Sequence, residues 1–148
     1  MRLRRADLND LAQLASLFDQ YRQFYKQASD LEGARAFLKE RLLHQESVVF
    51  VAQPDASPKL VGFTQLFPSF SSVGMKRLWI LNDLFVAPDA RQLGAGKALL
   101  QAAVDFARTD GARGVSLKTA VDNVNAQKLY EASNWTRDEK FLTYNFMF

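Results

Sequence analysis

From residue 89 the chain reads Asp-Ala-Arg-Gln-Leu-Gly-Ala-Gly-Lys-Ala-Leu-Leu, two glycines held between Arg91 and Lys97 just ahead of an apolar run. Where a helix starts, its first N–H groups have no carbonyl partner and its dipole is positive, so the site draws anions. Gly94 and Gly96 remove side chains that would keep an anion off the backbone. Arg91 and Lys97 add charge. A phosphate or pyrophosphate is the natural guest. A dinucleotide fingerprint needs a third glycine at 99, where Leu99 stands. A P-loop ending at Gly96-Lys97 needs glycine at 91 and a hydroxyl residue at 98, where Arg91 and Ala98 stand. What remains is Arg-x-x-Gly-x-Gly.

Cysteine is absent and His44 is the only histidine. Thiolate nucleophiles, disulfides, Cys-based zinc and multi-histidine metal sites are therefore excluded, and no metal is expected. Chemistry must run on carboxylates, tyrosine, backbone groups and a cofactor. Asp83 interrupts an otherwise apolar stretch. It reads as a sheet-edge carboxylate paired with a lysine or arginine, as a base acting through water, or as an anchor for a cationic amine. On its own pattern Tyr130 reads as half-buried packing. His44 ends a helical stretch and reads as its cap. Lys and Arg number 19 against 16 Asp and Glu, a net charge of +3 without a dense basic run. This suits an anionic ligand and argues against nucleic acid as a partner. No apolar run approaches the roughly 20 residues that span a bilayer, and the start is polar and acidic after "MRLRR", so a cytoplasmic protein without a membrane partner is expected.

The elements that must hold these residues follow from periodicity. "MRLRR" reads as a first strand. Asp7 caps a helix from about Leu8 to Tyr25, and "SDLE" (29–32) has capping-box spacing ahead of a second helix to His44. Residues 47–53 and 60–67 read as a hairpin across the proline-rich turn 54–59, residues 68–76 as a loop, and 77–86 as a long strand. Gly94 to about Thr109 is a strong amphipathic helix. Residues 115–120 alternate as a strand, 123–133 form a short helix ended by a left-handed Asn134, and 141–148 read as a final strand. Hairpins early and helical crossovers late predict an α/β domain on one mixed sheet.

At this point the sequence resembles the GNAT superfamily of N-acetyltransferases, which bind acetyl-CoA. The family signature Gln/Arg-x-x-Gly-x-Gly/Ala is matched by Arg91, Gln92, Leu93, Gly94, Ala95 and Gly96, between the strand "NDLFVAP" and "KALL". Further on, "DNVNAQKLYEASNW" resembles the family's Asn-x-x-Ala-x-x-Leu-Tyr-Glu-x-x-Gly-Phe/Trp stretch through Asn123, Ala126, Leu129, Tyr130, Glu131 and Trp135, with Asn134 in place of glycine. The motifs cover about half the chain, and the order of elements fits the rest. The look is nearest to polyamine or small-amine members, which carry a glutamate where this chain has Asn82.

The resemblance implies a single-domain acyl-CoA N-acyltransferase (GNAT) fold over 1–148, with a mixed, mostly antiparallel sheet flanked by helices. It implies acetyl-CoA as acetyl donor, its pyrophosphate on the amides of Gln92, Leu93, Gly94, Ala95, Gly96, Lys97 and Ala98 beside Arg91. Its pantetheine arm would pair with the backbone of Leu84, Phe85 and Val86, which requires strand 77–86 to part from strand 115–120. Asn123 and Ala126 would border the arm. Tyr130 then takes the place of the acid that protonates the leaving thiolate, and Asp83 that of the base. A backbone N–H near Val86 would hold the oxyanion. Tyr21, Tyr25 and Asn82 would line the site for a small-molecule or peptide amine, and the family often pairs as homodimers. Without cysteine, transfer is direct, in a ternary complex. A non-catalytic acyl-CoA sensor is the alternative.

Overall fold

In the computed structural model, which describes residues 1–148, the apolar alternation of the N-terminal half resolves into a five-stranded sheet. Strands β1 (Arg2–Arg5), β2 (Val48–Gln53), β3 (Gly62–Ser71) and β4 (Lys76–Val86) pair antiparallel in that order, and β5 (Gly114–Ser116) adds parallel to β4. Helices α1 (Leu11–Phe24), α2 (Leu31–Leu43), α3 (Ala95–Thr109) and α4 (Val124–Ala132) complete the elements, with single 3-10 turns before α1 and α3. The chain falls into two compact units, Met1–Leu117 and Lys118–Phe148.

In the first unit, side chains alternate across the sheet. Val49, Val51, Phe63 and Phe85 face one way and pack with Leu11, Leu14, Phe18, Ala34 and Leu38 of α1 and α2. Phe50, Ala52, Leu84 and Val86 face the other way and pack with Ala95 and Leu99 of α3. Each leucine buried outright, such as Leu14, Leu38 or Leu99, contributes about 2 kcal/mol of transfer free energy.

Local chemistry sets the helix starts. Asp7 and Asp10 form a reciprocal capping box around the turn that leads into α1, and Arg4 of β1 grips Asp10 with two bonds of 2.7 and 2.8 Å. The Arg4 hydrogen bonds hold the Asp10 carboxyl below its ordinary range. Ahead of α2 the cap is Asp30, whose carboxylate accepts the Gly33 N–H, and not the expected Ser29. The Ser29 hydroxyl instead donates to Asp19 of α1, which also accepts the Asp30 N–H. His44 caps the end of α2, its Nδ1 lying 3.1 Å from the Glu40 carbonyl.

Three expectations about the strands fail. Residues 68–76 are not a loop: β3 runs to Ser71 and β4 starts at Lys76, leaving a four-residue turn. Pro68 is tolerated because β2 pairs β3 only as far as Leu66, so Pro68 sits where β3 has a neighbour on one side. The strand expected over 115–120 is only Gly114–Ser116. The strand expected over 141–148 does not form. Its alternation is real, but a strand needs a partner for its backbone groups, and this segment has none; its apolar side chains are exposed.

Candidate active site

The loop that opened the sequence reading joins the end of β4 to α3. After the turn Pro88–Ala90, Gln92 takes a left-handed conformation (φ 72°) and Gly94 a second one (φ 80°) as N-cap of α3. No side chain caps this helix, and the first helical bond runs from the Ala98 N–H to the Gly94 carbonyl, 3.0 Å. The N–H groups of Ala95, Gly96 and Lys97 thus lie in the first turn with no carbonyl four residues back in the helix. A Cβ built on Gly94 would meet no protein atom within 4 Å. The glycine is there for its positive φ, and the space beyond it is open. Arg91 folds back, its Nε donating to the Val86 carbonyl at 3.3 Å.

β4 is open on one side just before this loop. β5 pairs only with Leu78, Trp79 and Ile80, so residues 81–86 have β3 on one edge and no strand on the other. Alternation tells which groups face that opening. The Ala87 N–H bonds the Val61 carbonyl beyond β3, so Phe85 also turns its backbone to β3 and Leu84 and Val86 turn theirs outward. The Arg91 contact to the Val86 carbonyl comes from that outward side. Of the three residues expected along a pantetheine arm, Leu84 and Val86 face the open edge, while Phe85 is spent on β3 and its ring on the core.

A bulge aims the carboxylate. Gln65 is opposite Asp83 and Leu66 opposite Leu81, so Asn82 is the extra residue in β4. Asn82 stays exposed and Asp83 turns inward, 4% exposed, on the α1 side of the sheet. The expected pairing with a lysine or arginine is not found. Asp83 accepts from the Gln65 amide at 2.7 Å and from the Asn82 amide at 3.1 Å, and the Tyr21 phenol also hydrogen-bonds it. Burial dominates these bonds and pushes the carboxyl above the ordinary carboxylate range.

Around it stands an aromatic wall. Tyr21 packs edge-on to Phe63, Phe85 and Tyr25, with ring centroids 5.0 to 6.2 Å apart, and Tyr25 continues to Phe24. Tyr21 also reaches the Asn82 carbonyl at 3.4 Å. Tyr21, Asn82 and Asp83 thus come together, while Tyr25 borders them from α1. A separate open cleft of about 360 Å³ lies along α1 at Gln13, Gln20, Lys59, Pro88 and Asp89, and none of the expected site residues lines it.

Sequence reasoning missed Gln65 and Ser47. Both are buried and both share Asp83's face, Ser47 two residues before Val49 and Gln65 two after Phe63. A glutamine at an inward position of an apolar strand was the signal available in "LVGFTQLF".

The second unit carries the remaining candidates. Asn123 is the N-cap of α4, its Oδ1 accepting the Ala126 N–H at 3.2 Å. Tyr130 is half-buried on α4, its ring 6.2 Å from that of Trp135 and its carbonyl accepting the Trp135 N–H at 3.0 Å. Asn134 ends the helix with φ 68°, the conformation glycine would supply.

Known proteins share this sequence pattern and this fold. The sequence model of the Acetyltransferase (GNAT) family matches residues 12–135. The uncharacterized N-acetyltransferase YhfO of Bacillus subtilis (strain 168) is 51% identical over 144 residues, 97% of this chain and 95% of its own length. The crystal structure of a probable acetyltransferase superposes with a TM-score of 0.96 at 44% identity, covering 100% of this chain and 98% of that one. AAC(6')-Iy, solved with the bisubstrate analogue CoA-S-monomethyl-acetylneamine, has a TM-score of 0.80 at 22% identity over 99% of this chain and 97% of its own, a likeness of fold.

Proposed function

The chain belongs to the GNAT family of acetyltransferases, and on that premise we propose that it moves the acetyl group of acetyl-CoA directly to the amine of a small molecule or peptide. One observation carries the reading: an unpaired length of β4 leads straight into a glycine-led, uncapped helix start. The pyrophosphate rests on the amides from Gln92 to Lys97, with Arg91 and Lys97 supplying charge; the Ala98 N–H, expected to join them, is spent on the Gly94 carbonyl. The pantetheine arm pairs with the outward backbone of Leu84 and Val86 like an added strand. AAC(6')-Iy, of the same fold, was solved with a CoA-linked analogue.

Asp83, working through water past the Tyr21 phenol and Asn82, takes one proton from the acceptor ammonium. The neutral amine attacks the thioester carbon, and the Val86 N–H, facing the open edge, holds the developing oxyanion. Collapse breaks the C–S bond. Tyr130 gives its proton to the leaving sulfur and recovers one from solvent as the second amine proton is lost. A phenol, with a pKa of about 10, is well matched to a thiol near 8.5. The aromatic wall of Tyr21 and Tyr25 beside one buried carboxylate favours an acceptor with an ammonium on an apolar body.

A panel of amines mixed with acetyl-CoA and a thiol-detecting dye tests the reading: amine-dependent thiol release is expected, strongest for amines bearing an apolar or aromatic body. Gly94→Val isolates the loop. The side chain would fill the open space at a left-handed position, at a strain of about 1–2 kcal/mol. Calorimetry should show coenzyme A affinity lowered by at least roughly tenfold, since each tenfold is about 1.4 kcal/mol. Unchanged affinity would place the pyrophosphate elsewhere.

A homodimer is also proposed. Phe141, Leu142, Tyr144, Phe146, Met147 and Phe148 are all at least 79% exposed, an apolar strip that a second copy would cover. Sedimentation should show a dimer, and Tyr144→Asp with Phe146→Asp should yield monomers; a wild-type monomer at all concentrations contradicts this.

A further inference from the structure

Asp83 is the end of a buried polar row that runs from Ser47, just ahead of β2, across β3 to β4. The Ser47 hydroxyl donates to Gln65 Oε1 at 2.8 Å, and Gln65 Nε2 donates to Asp83 Oδ2 at 2.7 Å. Gln65 is 0% exposed and Ser47 5%. Their neighbours on that face are apolar: Val49, Val51, Phe63 and Phe85. A glutamine in such a place carries an amide that costs free energy unless both its ends are paired. Both are, and the only buried side-chain polar atom without a partner is Ser133 Oγ, in the second unit.

We propose that Ser47 and Gln65 are positioning residues for Asp83, Ser47 holding the far end of the Gln65 amide so that its near end stays in line with the acid. This rests on the base role given to Asp83 above. With the carboxylate charged, the hydroxyl donates to the amide carbonyl and the NH₂ end faces Asp83. With the acid protonated, the amide turns over: the carboxyl O–H donates to Oε1 and Nε2 donates to Ser47 Oγ, since a hydroxyl both donates and accepts. The Gln65 amide is paired at both ends in either state, but its N–H bond to the charged carboxylate is charge-assisted and the stronger of the two, so the row favours the charged base. The other groups facing Asp83 are the Tyr21 phenol of α1, itself titratable, and the neutral Asn82 amide of β4; no charged side chain contributes. Thr64, on the opposite face of β3, bonds only the Asp83 carbonyl at 2.8 Å.

Gln65→Leu and Ser47→Ala test this by ¹³C-carboxyl NMR titration of Asp83, its signal identified by its absence in Asp83→Asn. Loss of the bond to the charged form should raise the midpoint in Gln65→Leu by on the order of one pH unit, and in Ser47→Ala by less. Ser47→Thr, which keeps the hydroxyl, should retain the wild-type midpoint. The acidic limb of kcat/KM for the amine should move with the midpoint, while KM for acetyl-CoA stays put. Should Gln65→Leu not fold, Ser47→Ala and Ser47→Thr make the comparison alone. An Asp83 midpoint unmoved in the folded variants overturns the proposal. A midpoint that moves while the acidic limb stays fixed supports the positioning and removes the base role from Asp83.

Discussion

Asp83→Asn is expected to lower kcat/KM for the amine on the order of 10² to 10³-fold at neutral pH, within the range that general bases supply. KM for acetyl-CoA should be unchanged, because the Asp83 side chain lies on the α1 face of the sheet while α3 packs on the other and the arm is met by backbone groups. The fold should not suffer. Burial raises the Asp83 pKa above its unfolded value, so the protonated carboxyl is at ease in the fold and the charged one is not. The stability associated with Asp83 is therefore full below the unfolded value of about 3.9 and is lost as pH rises through the higher folded value. An asparagine carries no such cost, and its carbonyl still accepts from Gln65. Thermal melts of Asp83→Asn should match or exceed wild type near pH 7, with the advantage gone near pH 4. The same raised pKa puts the acidic limb of the wild-type rate profile above the usual carboxylate range. Activity retained in Asp83→Asn, or a variant that melts well below wild type at neutral pH, would show that the carboxylate is structural.

Tyr130→Phe is expected to cut turnover on the order of 10²-fold with little change in coenzyme A affinity. The ring and its tilted packing on Trp135 survive the change, and the backbone bond from the Trp135 N–H to the Tyr130 carbonyl is untouched. The change removes the phenolic hydroxyl and with it the transferable proton. The loss should shrink when the leaving thiol is made more acidic, since a better leaving group needs less protonation. Wild-type turnover in Tyr130→Phe would take the tyrosine out of the mechanism and return it to packing.

The parts of this fold legible in the sequence are those set by local chemistry. Gly94 ahead of the apolar positions Ala95, Leu99, Ala102 and Phe106 announces a helix start, and the structure has one, although it buries Ala103 rather than Ala102. Asn134 stands where glycine is usual and takes the positive φ that makes the exchange possible. What was not legible depends on strand partners. The bulge at Asn82 is a matter of register between β3 and β4, and nothing within "ILNDLFV" reveals it; yet it decides that Asp83 faces inward and Asn82 outward. Gln65 comes beside Asp83, and Ser47 beside Gln65, only once β2, β3 and β4 are aligned. Pro68 looked like the end of a strand because the sequence does not show that β2 stops at Leu66. The tail 141–148 looked like a strand because alternation records a preference, and pairing, which alternation does not record, decides the outcome.

The central claim is direct transfer between two bound substrates, and single-turnover chemistry tests it most directly. Enzyme mixed with acetyl-labelled acetyl-CoA should release no thiol and carry no label on the protein until an amine is added. Thiol and acetylated amine should then appear together, one for one. Label on the protein before the amine arrives, or bound acetyl-CoA that survives every amine offered, would contradict it.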